Sequence, residues 1–153
     1  MDPNDRSGDS VTPPDDLSEP VTAPPLIVTK LQAPETRKTD VVRTHLLDQL
    51  QCSEQARCII VRAPAGYGKT TFLAQWAERN QQCAVAWVSL DSRDNDSVRF
   101  WRYVVEAIRG VEPKAVGDVS ARLEGPAPDL VGDIIPRLVD HLVAMSPLAL
   151  VLD

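Results

Sequence analysis

Cysteine is scarce: the chain of 153 residues has three, Cys52, Cys58 and Cys83. The count is odd and no pair has C-x-x-C spacing, which speaks against a disulfide framework and a zinc site and for reduced thiols in a cytosolic setting. Long apolar runs are missing as well. None approaches the roughly 18 residues that span a bilayer, and no basic stretch leads into an apolar one at the N-terminus. No membrane contact is expected, and a cytoplasmic protein is. Positive charge is also short, with 16 Lys and Arg against 22 Asp and Glu, for a net charge of −6. Much of that imbalance sits in Asp2, Asp5, Asp9, Asp15, Asp16 and Glu19, opposed within residues 1–25 by Arg6 alone. The rest is nearly neutral. A nucleic-acid surface needs clustered cations to neutralise phosphates, so no DNA contact is expected from this chain.

Two regions follow from composition. Residues 1–25 hold Pro3, Pro13, Pro14, Pro20, Pro24 and Pro25 among Ser, Thr and Asp. Such a stretch buries too little apolar surface to offset its ordering entropy and reads as a disordered, acidic tail. Residues 26–153 read as ordered. Leu46, Leu47 and Leu50 predict a short helix over 43–51. Residues 58–61, Cys-Ile-Ile-Val, predict a buried strand. Phe72, Leu73, Trp76 and Ala77 predict a helix over 69–80 with Asn80 as its stop. A second strand is expected over 84–90. The next helix spans 98–109, with Trp101, Val104, Val105 and Ile108 on one stripe and capping groups at Asn95, Asp96 and Ser97. A short helical piece is expected near 119–123. Leu130, Ile134, Leu138 and Leu142 predict a further helix, kinked or delayed by Pro136. Residues 148–152 form a final strand. Strands alternating with helices make the class α/β with a parallel sheet.

The most informative segment joins the first predicted strand to its helix. Residues 63–70 read Ala-Pro-Ala-Gly-Tyr-Gly-Lys-Thr, the Walker A spacing with Ala63 in place of the first glycine. Gly66 and Gly68 allow backbone conformations that other residues resist. Within the loop Pro64-Ala65-Gly66-Tyr67-Gly68, successive backbone N–H groups after the proline, with those of the helix start, can then converge on phosphate oxygens. Lys69 supplies a cation for the β and γ phosphates, the Thr70 hydroxyl a ligand for Mg²⁺, and Thr71 a contact to the α phosphate. Tyr67 is placed to touch or cover the nucleotide. The expected ligands are therefore ATP or ADP, and Mg²⁺. Asp153, at the end of an apolar strand, is the expected second Mg²⁺ residue, acting through water.

Three segments together carry a family resemblance. They are Thr29-Lys30-Leu31 with Val41-Val42-Arg43, then Pro64 to Thr71, then Trp87-Val88-Ser89-Leu90-Asp91 leading into Asp94-Asn95-Asp96 and Arg99-Phe100-Trp101. Residues 26–153 resemble the N-terminal nucleotide-binding domain of the large MalT-like regulators of the LuxR family, within the STAND group of signalling ATPases. The resemblance implies a P-loop NTPase three-layer sandwich with a parallel sheet, incomplete here because the sequence stops at the Walker B strand. It implies an ATP-driven switch in a transcription regulator, with self-association of the intact protein and sensor and DNA-binding regions further on. It also places Val42 and Arg43 against the adenine. A second acid expected after Asp153 is not in the sequence, so the reading stops short of hydrolysis. The strand expected between 58–61 and 148–152 is missing too. The isolated chain is therefore expected to be marginal, with weak ATP binding or none.

Two other readings compete: a small metabolic P-loop kinase, for which Lys114 and Arg122 make a thin substrate lid, and a non-catalytic remnant. His45 and His141 read as surface or packing residues, and Asp94 and Asp96 as capping groups rather than a metal pair.

Overall fold

The computed structural model describes residues 24–52 and 56–153. Most of the expected acidic tail, residues 1–23, lies outside them. Seven regular elements follow in order: α1 (Thr44–Gln51), α2 (Lys69–Arg79), β1 (Ala84–Val88), α3 (Ser97–Val111), α4 (Val119–Leu123), α5 (Ile135–Val143) and β2 (Leu148–Leu152). Short 3₁₀ turns cover Val28–Leu31, Ser92–Asn95 and Pro113–Ala115. The fold is mixed α/β around a small parallel sheet. β1 and β2 pair in register from Ala84 opposite Leu148 to Val88 opposite Leu152. Two further bonds carry the ladder past the strand ends: Asp153 N donates to Val88 O (3.0 Å) and Leu90 N to Asp153 O (2.7 Å).

Side chains on β1 alternate between two apolar clusters, as the pleat requires. Ala86 and Val88 face the main core with Tyr103, Val104, Val105, Ala107 and Ile108 of α3, joined by Ala115, Val116, Val119, Leu123, Ile134 and Leu138. Trp87 faces the other way and meets Ala74 of α2 and Val151 of β2, with Leu73, Trp76 and Val85 at the margin. Helices thus cover both faces of the two strands.

Local chemistry explains the element boundaries. Asp96 caps α3, its side chain accepting from Arg99 N at 2.7 Å. Asn80 ends α2: its amide donates to Trp76 O at 2.8 Å and its side chain to Cys83 O at 2.8 Å. Of the two outcomes expected at Pro136, the structure takes the second: the α-helix begins later, at Ile135. The chain opens with a π-helical turn, Leu130–Ile134, in which Ile134 N reaches back to Asp129 O (3.0 Å), and α5 then starts with proline in its first turn. A proline there gives up an amide that a helix start does not need.

Both strands expected before residue 91 differ in the structure. Residues 58–61 form no strand; they are extended and largely exposed, with Ile60 84% accessible. A β-branched run becomes a strand only when another strand takes its backbone bonds, and none of the described strands does so. The second strand ends at Val88, not residue 90, because the chain turns into the Asp91 corner. Trp101 of the expected stripe packs at the margin of the main core, its ring edge-on to Phe100 at 5.5 Å, and Tyr103 beside it is fully buried.

Candidate functional site

Residues 63–68 join the extended segment to α2 as an exposed loop. Gly66 and Gly68 have φ of 80° and 74°, the left-handed region that favours glycine. Gly68 stands at the N-cap of α2 and accepts from Phe72 N at 2.9 Å. The loop satisfies itself. Lys69 Nζ donates to Ala63 O (3.0 Å) and to Pro64 O (3.1 Å), so the ammonium is folded back over the loop. Arg43 Nη1 donates to Tyr67 O at 2.9 Å, and a Cβ on Gly68 would lie 3.6 Å from the same atom.

Thr70 Oγ1 donates to Asp153 Oδ1 at 2.8 Å, joining the first turn of α2 to the end of β2 across 83 positions of sequence. Asp153 is held there by the two ladder bonds from the end of β1 described above. A hydroxyl and a carboxylate oxygen in contact are hard donors of the kind Mg²⁺ takes, and Mg²⁺ commonly uses one or two protein oxygens with water and phosphate for the rest. The residues present fit that ion. Among the described residues, no group of three or more His, Cys, Asp or Glu could hold a metal by itself.

The other candidates spread around this centre. Thr71, the third residue of α2, is half-buried, and Tyr67 is 61% exposed. Pro64 and Ala65 are exposed on the loop. Val42 is exposed beside Arg43, the N-cap of α1, and neighbouring Val41 is 77% exposed, its carbonyl accepting from Gln75 Nε2 at 3.5 Å. The structure therefore brings Arg43, Tyr67, Gly68, Lys69, Thr70 and Asp153 to one end of α2 and the sheet. A groove of about 510 Å³ lies elsewhere, between Pro34 and Thr36 on one wall and Ala74, Ala77 and Trp87 on the other.

A partly buried ionic cluster centred on Asp94 stands next to this end and has no counterpart among the sequence expectations. The ammonium of Lys30 pairs with Asp94 and, at 3.0 Å, with Asp91 Oδ2. Asp94, with its side chain only 2% exposed, also accepts from Arg99 Nε (3.1 Å) and Asp91 N (2.8 Å). Lys30 and Arg99 lie over the Tyr103 ring, 5.1 Å and 5.6 Å from its centroid. Burial works against the Asp94 carboxylate, but the Lys30 ammonium, the Asp91 amide and Arg99 hold its pKa below the usual range. Arg93 and then Lys30 hold Asp91 low as well, and although burial opposes it, the pair Asp94 and Asp91 raises Lys30. Asp94 and Asp96 were expected to be caps. Asp96 is one, while Asp94 closes a capping box with Asp91 and anchors this cluster. Arg99 is drawn into it, and Arg102 donates to Pro24 O at 2.9 Å. A lone lysine between Thr29 and Leu31 carries no sign of a partner 64 positions away.

No helix among the described residues is long and apolar enough to cross a membrane. No family model matches the chain. The chain is similar to the serine/threonine-protein kinase PknK of Mycobacterium tuberculosis, 33% identical over 124 residues that make up 80% of this chain and 11% of that protein. PknK of Mycobacterium bovis matches to the same extent. The HTH-type transcriptional regulator MalT of Yersinia pestis is 44% identical over 84 residues, 55% of this chain and 9% of that regulator. The chain spans about a tenth of the length of the curated relatives it matches. It is a mixed α/β chain with a parallel strand pair. Its similarity, partial in coverage, is to transcription regulators of the MalT type and to PknK.

Proposed function

We propose that this chain is the ATP-binding switch module of a MalT-like, LuxR-family transcription regulator of the STAND group, working in the cytoplasm. The contact between Thr70 and Asp153 carries the reading: two residues 83 positions apart meet at 2.8 Å beside a loop with two left-handed glycines. A strand–loop–helix turn with an incidental lysine would have no reason to place a carboxylate against its first helical hydroxyl. Ala65, Gly66, Tyr67 and Gly68 would supply backbone N–H donors around the phosphates, with Pro64 shaping the loop and Lys69 and Thr71 on the phosphate oxygens. Thr70 and Asp153 would hold Mg²⁺, which when bound neutralises phosphate charge. Exposed Val42 and Arg43 would lie against the base. The matched stretches of PknK and MalT together exceed the length of this chain, so they overlap. A segment shared by proteins named as a kinase and as a transcription regulator is more simply a nucleotide module serving both than the defining part of either. In this reading the sheet is part of a P-loop sandwich, and a further parallel strand would join residues 58–61 to β2. ADP and ATP are the ligands, and self-association belongs to the intact protein.

The direct test is equilibrium ATP binding, titrated into the millimolar range, by the wild-type chain and by Lys69→Ala. Loss of the ammonium should weaken binding at least roughly tenfold, the scale of one charge-assisted hydrogen bond. A measurable ATP signal that is equal in the two proteins would sink the reading.

A further inference from the structure

We propose that Lys30 is a positioning residue for the Thr70–Asp153 pair, acting through the corner that follows β1; this rests on reading that pair as a magnesium site. Three consecutive residues carry the connection. Val88 O and Leu90 N bond Asp153, at 3.0 Å and 2.7 Å. Between them, Ser89 N donates to Lys30 O at 2.8 Å. Along an extended strand, successive residues direct their backbone bonds to opposite sides. The backbone at Lys30 therefore lies along one side of β1's end and Asp153 along the other.

The Lys30 side chain then grips what comes next. Its ammonium pairs with Asp91, which follows Leu90, and with buried Asp94, which in turn accepts from the Asp91 amide at 2.8 Å. Leu90 is thus the last free residue between a fixed strand and a fixed corner. Its amide donates to the Asp153 carbonyl, and that bond helps set where the Asp153 carboxylate stands against Thr70. Tyr103 completes the brace: its hydroxyl accepts from Ile27 N (3.2 Å) and Arg99 Nη2 (3.3 Å), tying segment 27–30 to α3. Lys30 touches neither Thr70 nor Asp153 and acts through backbone that both depend on. Groups outside a metal's own ligands commonly tune its affinity roughly tenfold or more.

Hydrogen exchange on the nucleotide-free chain tests the linkage without relying on ligand. In Lys30→Met the Leu90 and Asp153 amides should exchange about tenfold faster, while the amides of Val104 to Ile108 keep wild-type rates. Tyr103→Phe, which keeps the ring and loses only the hydroxyl, should show the same pattern more weakly and decides the matter if Lys30→Met does not fold. Unchanged exchange at Leu90 and Asp153, or acceleration shared equally with α3, overturns the proposal. A second arm follows ATP binding with and without Mg²⁺. The Mg²⁺ concentration at half-effect should rise roughly tenfold in Lys30→Met and return towards wild type in Lys30→Arg, with metal-free affinity changed less than about twofold. An equal loss with and without Mg²⁺ would show a general structural role and overturn it. ATP binding by the wild-type chain that Mg²⁺ does not strengthen would overturn the magnesium reading, and the exchange pattern would still decide whether Lys30 holds Asp153.

Discussion

The two halves of the described chain differ in how their residues are held. From β1 to α5 the apolar side chains close on one another: Val88, Tyr103, Val104, Ile108, Val119 and Ile134 are all essentially inaccessible. From residue 41 to 68, Leu47 is the one described residue that is buried, while Val41, Val42, Ile59, Ile60 and Tyr67 stand in solvent. The candidate site lies on the seam. Thr70 and Lys69 open a helix anchored by Phe72 and Ala74, Asp153 ends a strand held by β1, and the loop with Arg43 comes from the loose half. Ligand-binding loops generally come from the less stable part of a protein, since they must rearrange around what they bind. Here Lys69 would have to leave the Ala63 and Pro64 carbonyls to reach a phosphate.

If the tight half carries the stability, the sharpest blow falls there. Ile108→Ala removes a fully buried side chain between β1 and the helices, and should cost about 2–5 kcal/mol in denaturant unfolding. A loss under about 1 kcal/mol would mean that this core is no better packed than the loop half. Acid should act on the same half with a smaller effect. Asp91, Asp94, Asp118 and Asp133 all have pKa values lowered in the folded chain, Asp118 chiefly by Arg122 and Asp133 chiefly by Arg137. Groups with depressed pKa stabilise above their unfolded value, near 4, and that stability is lost as pH falls through the folded values. Stability should therefore decline below about pH 4, and Asp94→Asn should flatten that decline. Identical acid profiles for the two proteins would remove Asp94 from the explanation.

Legibility in the sequence follows the same divide. The stripe Val104, Val105 and Ile108 was readable because a helix that buries one face must repeat its apolar residues, and α3 does so. The final strand was readable because a short continuous apolar run suits a strand packed within a sheet, and β2 covers those residues. The loop was readable from its glycines, whose left-handed φ no other residue type adopts freely. Residues 58–61 were misread for a physical reason: a strand is a relation between segments, and Cys-Ile-Ile-Val states a preference without naming a partner. The π turn before Pro136 hid because proline announces a missing amide but not how the chain accommodates it. The Lys30 cluster hid because it joins residues 30, 91, 94, 99 and 103, a contact set that no local pattern encodes.

The smallest expected effect is also the most direct check on the comparison. Ile60 lies in the run read as a strand from sequence, yet it is 84% exposed. An exposed side chain without contacts contributes little, so Ile60→Ser should leave stability within about 0.5 kcal/mol of wild type. The same substitution at a buried strand position would remove most of an isoleucine's transfer free energy and leave a hydroxyl to satisfy, a cost of several kcal/mol. The two outcomes are far enough apart for a single denaturant titration to separate them. A loss above about 2 kcal/mol would mean that residues 58–61 find a partner in solution, and that the loose half is as well built as the tight one.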